Sequence, residues 1–254
     1  MEPTLVQLLS EDEIQEYLTR LTSLRSEWRT HRDESLSMPY YLLGAASYLD
    51  AKENTKAYYK IKNYYNRILL ENFSDLYDKV LSCIEEYIGP AVLEDSLAYP
   101  GFNIMGDETR AHELTYLEFP SDYLYSRHQD HIYNYHLDVL NEKYKIVDLE
   151  DNFSFTLSLK LPSVGSGLSL WCDTSLKKYE TSQPFEIDLR DNGFYKGRDI
   201  EEPSVVPYQE GGIFIFSGNL YHQVPPLYKY YLDDRRITLQ GHSVLCDGMW
   251  RVYF

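Results

Sequence analysis

The spacing of hydrophobic positions changes near residue 99. Before it, apolar residues recur at helical period. Ile14, Tyr17, Leu18, Leu21, Leu24 and Trp28 fall on one face, and Ser10 with Glu13 supplies the S-x-x-E pattern of a helix start. A break is expected over residues 35–39. The apolar segment YYLLGAASYLDA (40–51) fits either a short helix or a loop covering a site. Tyr58, Ile61, Tyr65, Ile68 and Leu69 form a second stripe within residues 53–70. Ser74 and Asp75 then predict the cap of a third helix, with Leu76, Val80, Leu81, Ile84 and Ile88 inward and Gly89-Pro90 ending it.

From Tyr99 the period becomes two. Strands are predicted at GFNIM (101–105), ELTYLEF (113–119, with PSDY as a turn), FSFTLSLKLP (153–162) and GSGLSLW (165–171). GGIFIFSG (211–218) predicts a buried strand, and RRITLQGHSVL (235–245) and MWRVYF (249–254) the last ones. Residues 173–210 are polar and contain Pro and Gly, which suits a lid or an irregular connection. Many short strands separated by turns indicate a β-barrel or jelly roll. The expected class is α+β. Residues 1–98 form a mostly helical part packed outside one sheet of a core formed by 99–254, and the whole chain makes a single unit.

The chain of 254 residues is long enough for a sizeable core without disulfide staples. Cys83, Cys172 and Cys246 are odd in number, widely spaced and without a C-x-x-C pair, which fits buried thiols in a reducing cytoplasm. The N-terminal sequence lacks the features of a signal peptide, and no stretch approaches a membrane span. A formal charge of −16 argues against nucleic-acid partners. The tyrosines, 25 of them, fall largely in helical patterns and are read as packing with a wet hydroxyl.

Candidate chemistry sits in YLYSRHQDHIYNYHLDVL (123–140), which holds two His-x-Asp triplets, His128/Asp130 and His136/Asp138. On a strand, side chains at i and i+2 share a face. An imidazole and a carboxylate so placed are two ligands of a 2-His-1-carboxylate site, which leaves positions open on ferrous iron. His222, where an apolar strand ends at a Ser-Gly turn, is the natural third ligand. Arg236 and Thr238 form another i, i+2 pair, with a planar fork suited to a carboxylate and a hydroxyl beside it. Ile237 and Leu239 would then face the helices. Both triplets stay open, with His128/Asp130 preferred because the preceding strand and turn lead directly to it.

His-x-Asp, a distant His and Arg-x-Thr together resemble the Fe(II)/2-oxoglutarate-dependent oxygenase family. GFNI (101–104), His128-Gln-Asp-His-Ile-Tyr133, SFTLSLKLP (154–162), GSGLSLW (165–171), RITLQGH (236–242) and Asp247–Trp250 resemble its free-amino-acid hydroxylase and halogenase branch. The resemblance covers roughly residues 99–254. It implies a double-stranded β-helix of cupin-like form, with Fe(II) held by His128, Asp130 and His222. It also implies 2-oxoglutarate as co-substrate, its distal carboxylate held by Arg236 and Thr238, and dioxygen as oxidant. The products would be succinate, CO2 and a hydroxylated small amino acid or derivative. Halogenating members carry Gly in place of the Asp; both triplets here keep Asp, so hydroxylation is expected.

Alternatives are an oxygenase acting on a peptide or carrier-bound substrate, a non-catalytic cupin-type binding protein, and a cupin-type isomerase or hydrolase. Trp171 and Trp250 are read as core, Arg235 as pairing on the surface, and Glu113 and Glu118 as solvated strand positions. His112, His131 and His242 receive no role.

Overall fold

Ser10 starts the first helix as the pattern predicts. Its side chain accepts from the Glu13 backbone while the Glu13 carboxylate accepts from the Ser10 N–H at 2.8 Å, and the helix α1 runs Glu11–Ser23. The chain is described by a computed structural model at residues 1–30, 40–51, 54–106, 128–163, 167–171, 204–224 and 234–254. The expected break at 35–39, the strand at 113–119 with its turn, His112, Glu113, Glu118, Cys172 and most of the 173–210 connection lie outside these residues.

Residues 1–98 hold more than helix. Among the described residues, four short strands lie there: β1 (Thr4–Gln7), β2 (Arg29–Thr30), β3 (Tyr40–Leu43) and β4 (Ala91–Leu93). The segment 40–51 is therefore a strand followed by a turn of π-helix at Ser47–Ala51. YYLL shows no alternation because three of its four residues are buried inside the sheet. The two helices expected over residues 53–88 are one run, α2 (Thr55–Tyr87), capped by Asn54 and interrupted at Phe73, whose backbone leaves the helical region (φ −137°, ψ 20°). Ser74 and Asp75 mark that interruption.

The remaining elements are β5 (Gly101–Met105), α3 (Leu137–Lys143), β6 (Val147–Lys160), β7 (Leu168–Trp171), β8 (Ser204–Val206), β9 (Gly212–Ser217), β10 (Tyr221–Gln223), β11 (Arg236–Cys246) and β12 (Met249–Tyr253). Among the described residues they form two sheets. The larger runs β1-β9-β6-β11-β5-β3-β2, with β12 paired to β11 and β4 to β12; the smaller runs β10-β7-β8. All pairs are antiparallel except β12 with β4.

The two faces of the larger sheet differ. Phe102, Ile104, Phe153, Phe155, Leu157, Leu159, Ile213, Ile215, Ile237 and Leu239 share one buried cluster with Ile14, Tyr17 and Leu21 of α1 and with Ile68 to Ile84 of α2. Each such side chain, fully buried, contributes roughly 1.5–3 kcal/mol. The alternate positions are polar yet buried: Asn103, Ser154, Thr156, Ser158, Arg236, Thr238 and His242. At β9 the same face carries Phe214 and Phe216, which pack with Leu168, Leu170, Tyr208 and Val224 on and around the smaller sheet. The polar face is where the site is built.

Candidate metal centre

His128 and His222 are joined first by backbone. His128 N–H donates to the His222 carbonyl at 3.1 Å and His222 N–H to the His128 carbonyl at 2.9 Å, an isolated antiparallel bridge between distant segments. Two residues on, Asp130 N–H donates to the Gly218 carbonyl at 2.8 Å, in the turn that follows β9. A side chain at Gly218 would overlap Asn152 Oδ1 and crowd the Asp130 carbonyl at 3.1 Å, so glycine permits the approach. Asn219 ties the turn together: its Oδ1 accepts from Asn152 Nδ2 at 3.1 Å and meets His131 Nε2 at 3.0 Å, and its carbonyl accepts from Gln129 Nε2. The expected i, i+2 geometry is thus produced by a bridge and a turn rather than by a regular strand.

These contacts bring one ligand atom each from His128, Asp130 and His222 within 4.8 Å of one another. Asp130 Oδ1 lies 3.5 Å from His128 Nε2, and Oδ2 lies 3.3 Å from His222 Nε2. His222 Nδ1 donates to the Leu220 carbonyl at 3.0 Å. A carbonyl only accepts, so Nδ1 carries a proton, and Nε2 is the nitrogen turned to the carboxylate. Burial alone would raise the Asp130 pKa, but the imidazoles of His222, His242 and His128 outweigh it and hold the carboxyl well below the usual range. For His222 burial opposes the charged form, and Asp130 reverses the balance and raises its pKa. Two imidazoles and an ionised carboxylate form a donor set suited to a first-row divalent metal.

His136 and Asp138 do not join this group. His136 is the N-cap of α3 and Asp138 lies in its first turn, so the two are not on an extended strand where i and i+2 share a face. Asp138 is exposed. His136 is buried with its ring 5.1 Å from that of Tyr58, and burial pushes its pKa down to about 4.

Arg236 and Thr238 share the polar face of β11, with Ile237 and Leu239 in the apolar cluster beneath the helices. Arg236 is 1% exposed, and its Nε and Nη2 have no hydrogen-bond partner among the described residues. Its guanidinium stands over the Tyr208 ring at 5.8 Å. Asp234 accepts from Ser163 N and Oγ at 3.1 and 2.6 Å.

One residue given no role belongs here. His242 is buried, its Nδ1 is 3.6 Å from Asp130 Oδ2, and it meets Ser154 Oγ at 2.9 Å. The signal was parity: His242 is even-numbered on the strand that carries Arg236 and Thr238 inward. His131 binds the turn as described, and Trp250 packs on Phe153 with ring centres 4.9 Å apart.

The sequence matches no family model and no curated protein. Among solved structures, an N-substituted L-amino acid dioxygenase from Burkholderia ambifaria AMMD superposes with a TM-score of 0.56 at 12% identity, covering 100% of this chain and 86% of that one. The chain has the fold of this dioxygenase. The structure of that dioxygenase in complex with alpha-KG aligns over the same shares at 11% identity and a TM-score of 0.53. On such a fold the described residues set a three-ligand cluster and a buried guanidinium, its Nε and Nη2 without a partner among those residues, along one polar sheet face. The first can hold a metal, and the second calls for an anion.

Proposed function

We propose that this protein is an Fe(II)/2-oxoglutarate-dependent dioxygenase that hydroxylates a small amino acid or close derivative, releasing succinate and CO2. The observation that carries the reading is the coexistence, on one buried face, of the His128–Asp130–His222 cluster and the Arg236 guanidinium, whose Nε and Nη2 have no partner among the described residues. The residues fit both groups. Asp130 is ionised and His222 has its proton fixed on Nδ1, as metal ligands require, and a buried guanidinium with two free N–H groups suits a carboxylate. In this reading the two sheets are the halves of a double-stranded β-helix, and the whole of 1–254 is one unit. The substrate is a small molecule met in the cytoplasm.

Bound iron, 2-oxoglutarate and dioxygen supply the oxidising chemistry, driven by decarboxylation of the co-substrate. The chain supplies placement. His128, Asp130 and His222 would hold the metal through one ligand atom each. Arg236 and Thr238 would hold the distal carboxylate of the co-substrate, with the Tyr208 ring against the guanidinium. With Asp130 occupying the carboxylate position no place is left there for a halide, which favours hydroxylation. The resemblance to free-amino-acid hydroxylases, with the fold of an amino acid dioxygenase, supports an amino-acid substrate.

Anaerobic addition of 2-oxoglutarate to the Fe(II)-loaded protein should produce a metal-to-ligand charge-transfer band. Its absence, with iron bound at one per chain, removes the assignment. Succinate release is then screened across free amino acids and matched peptides; coupling to peptides alone would retain the oxygenase and discard the amino-acid substrate.

A further inference from the structure

The face that carries Arg236 holds more unsatisfied donors than that one side chain. Thr238 on β11 stands opposite Asn103 of β5 on one side and Ser158 of β6 on the other. Directly opposed side chains on neighbouring strands have Cβ atoms about 4.5–5.5 Å apart. All four residues are buried to within 1% of full enclosure. Among the described residues, Asn103 Nδ2 and Ser158 Oγ lack a hydrogen-bond partner, as do Nε and Nη2 of Arg236. Buried donors without acceptors are costly, and native proteins leave few of them. Here four lie on three adjacent strands of one sheet face.

Their chemistry is one-sided. The Tyr40 hydroxyl donates to Asn103 Oδ1, so the amide is oriented with its oxygen engaged and its Nδ2 free to donate. Thr238 Oγ1 accepts from Gln240 Nε2 at 3.4 Å, which leaves the threonine proton to donate outward. The group that satisfies this set must accept only. A carboxylate does, with two oxygens and one charge to balance one guanidinium. A carboxamide would turn its own N–H groups against the donors.

We infer that Asn103 and Ser158 are specificity-determining residues of the co-substrate pocket. With Arg236 and Thr238 they form a donor-only cradle that selects a carboxylate over a carboxamide, and Tyr40 is the positioning residue that fixes the Asn103 amide. The inference rests on the proposed use of 2-oxoglutarate.

The test uses the full chain in two forms. Calorimetric titration of the iron-free protein with glutarate reads the cradle alone. Charge-transfer titration of the anaerobic Fe(II) protein compares 2-oxoglutarate with 2-oxoglutaramate, its distal carboxamide. Wild type should bind glutarate and prefer 2-oxoglutarate by roughly a hundredfold. Asn103→Ala and Ser158→Ala should each weaken glutarate by about tenfold or more, the loss of one charge-assisted bond, with iron stoichiometry intact. Tyr40→Phe preserves shape while freeing the amide to turn. It should cut the carboxylate preference about tenfold, a readout that a packing role would not move and one that remains should Asn103→Ala fail to fold. Unchanged glutarate affinity in both cradle variants with an unchanged preference in Tyr40→Phe overturns the inference and leaves the oxygenase standing. Wild type that binds neither glutarate nor 2-oxoglutarate overturns both.

Discussion

Arg236→Met should stabilise the ligand-free protein while abolishing its response to 2-oxoglutarate. The guanidinium is 1% exposed, with two N–H groups unsatisfied among the described residues. Replacing a buried ionic group by a hydrophobic one of similar size stabilises by roughly 1–4 kcal/mol. Against this stands the loss of the cation over Tyr208, about 0.5–2 kcal/mol. The central values of the two ranges leave a net gain of about 1 kcal/mol. At roughly 2–4 °C per kcal/mol for a chain of this size, the unfolding midpoint should rise by about 2–4 °C. Ligand should invert the order. At a hundredfold excess over its dissociation constant, 2-oxoglutarate stabilises wild type by about 2.7 kcal/mol and the variant not at all. Thermal unfolding of the two iron-free proteins, each with and without 2-oxoglutarate, reads all four midpoints. A variant that unfolds below wild type without ligand would show that Arg236 is already satisfied in the free protein, and the case for an anion there would fail.

Iron stoichiometry should collapse in His128→Ala and His222→Ala and persist in His136→Ala; the reverse pattern would move the centre to His136 and Asp138. Gly218→Ala forces Asn152 from its bond to Asn219, so chemical denaturation should show a loss of about 1–3 kcal/mol, and iron titration a weaker affinity as Asp130 is displaced. A chain beginning near Pro100 lacks α1, α2 and the strand β1 that pairs with β9, and should be insoluble or molten. Cooperative unfolding of that fragment in solution would show instead that the β-core folds independently. His242→Ala should lower iron affinity more than His242→Gln, since glutamine can still donate towards Asp130; equal iron titrations would remove His242 from the site.

Much of this was legible in the sequence wherever one period governed a whole element. FSFTLSLK alternates apolar and small polar residues because Phe153 to Leu159 meet the helices while Ser154, Thr156 and Ser158 face the other way. Once Arg236 and Thr238 are placed inward, the same parity places His242, and on β5 it places Asn103 between Phe102 and Ile104. Reading parity along whole strands would have found both. The short strands of residues 1–98 were not legible. TLVQ spans four residues and takes its structure from β9, more than two hundred positions away, and no local propensity encodes that pairing. The interruption of α2 at Phe73 left the capping signal of Ser74 and Asp75 without a true helix start. The convergence of His128 with His222 depends on a backbone bridge between distant segments, whereas the choice of residue types depended only on their chemistry.

The strand order of the larger sheet has a consequence for how the chain is made. β11 lies between β6 and β5, so two strands that precede it in sequence are joined only through one that follows both. During vectorial synthesis β5 and β6 leave the ribosome with no partner on their facing edges. The stretch from Lys160 to Arg236 takes on the order of 4–15 s to translate. For those seconds the nascent chain presents open β edges, a template for pairing with other chains. What shields those edges until residues 236–246 emerge therefore governs how much of the protein a cell recovers.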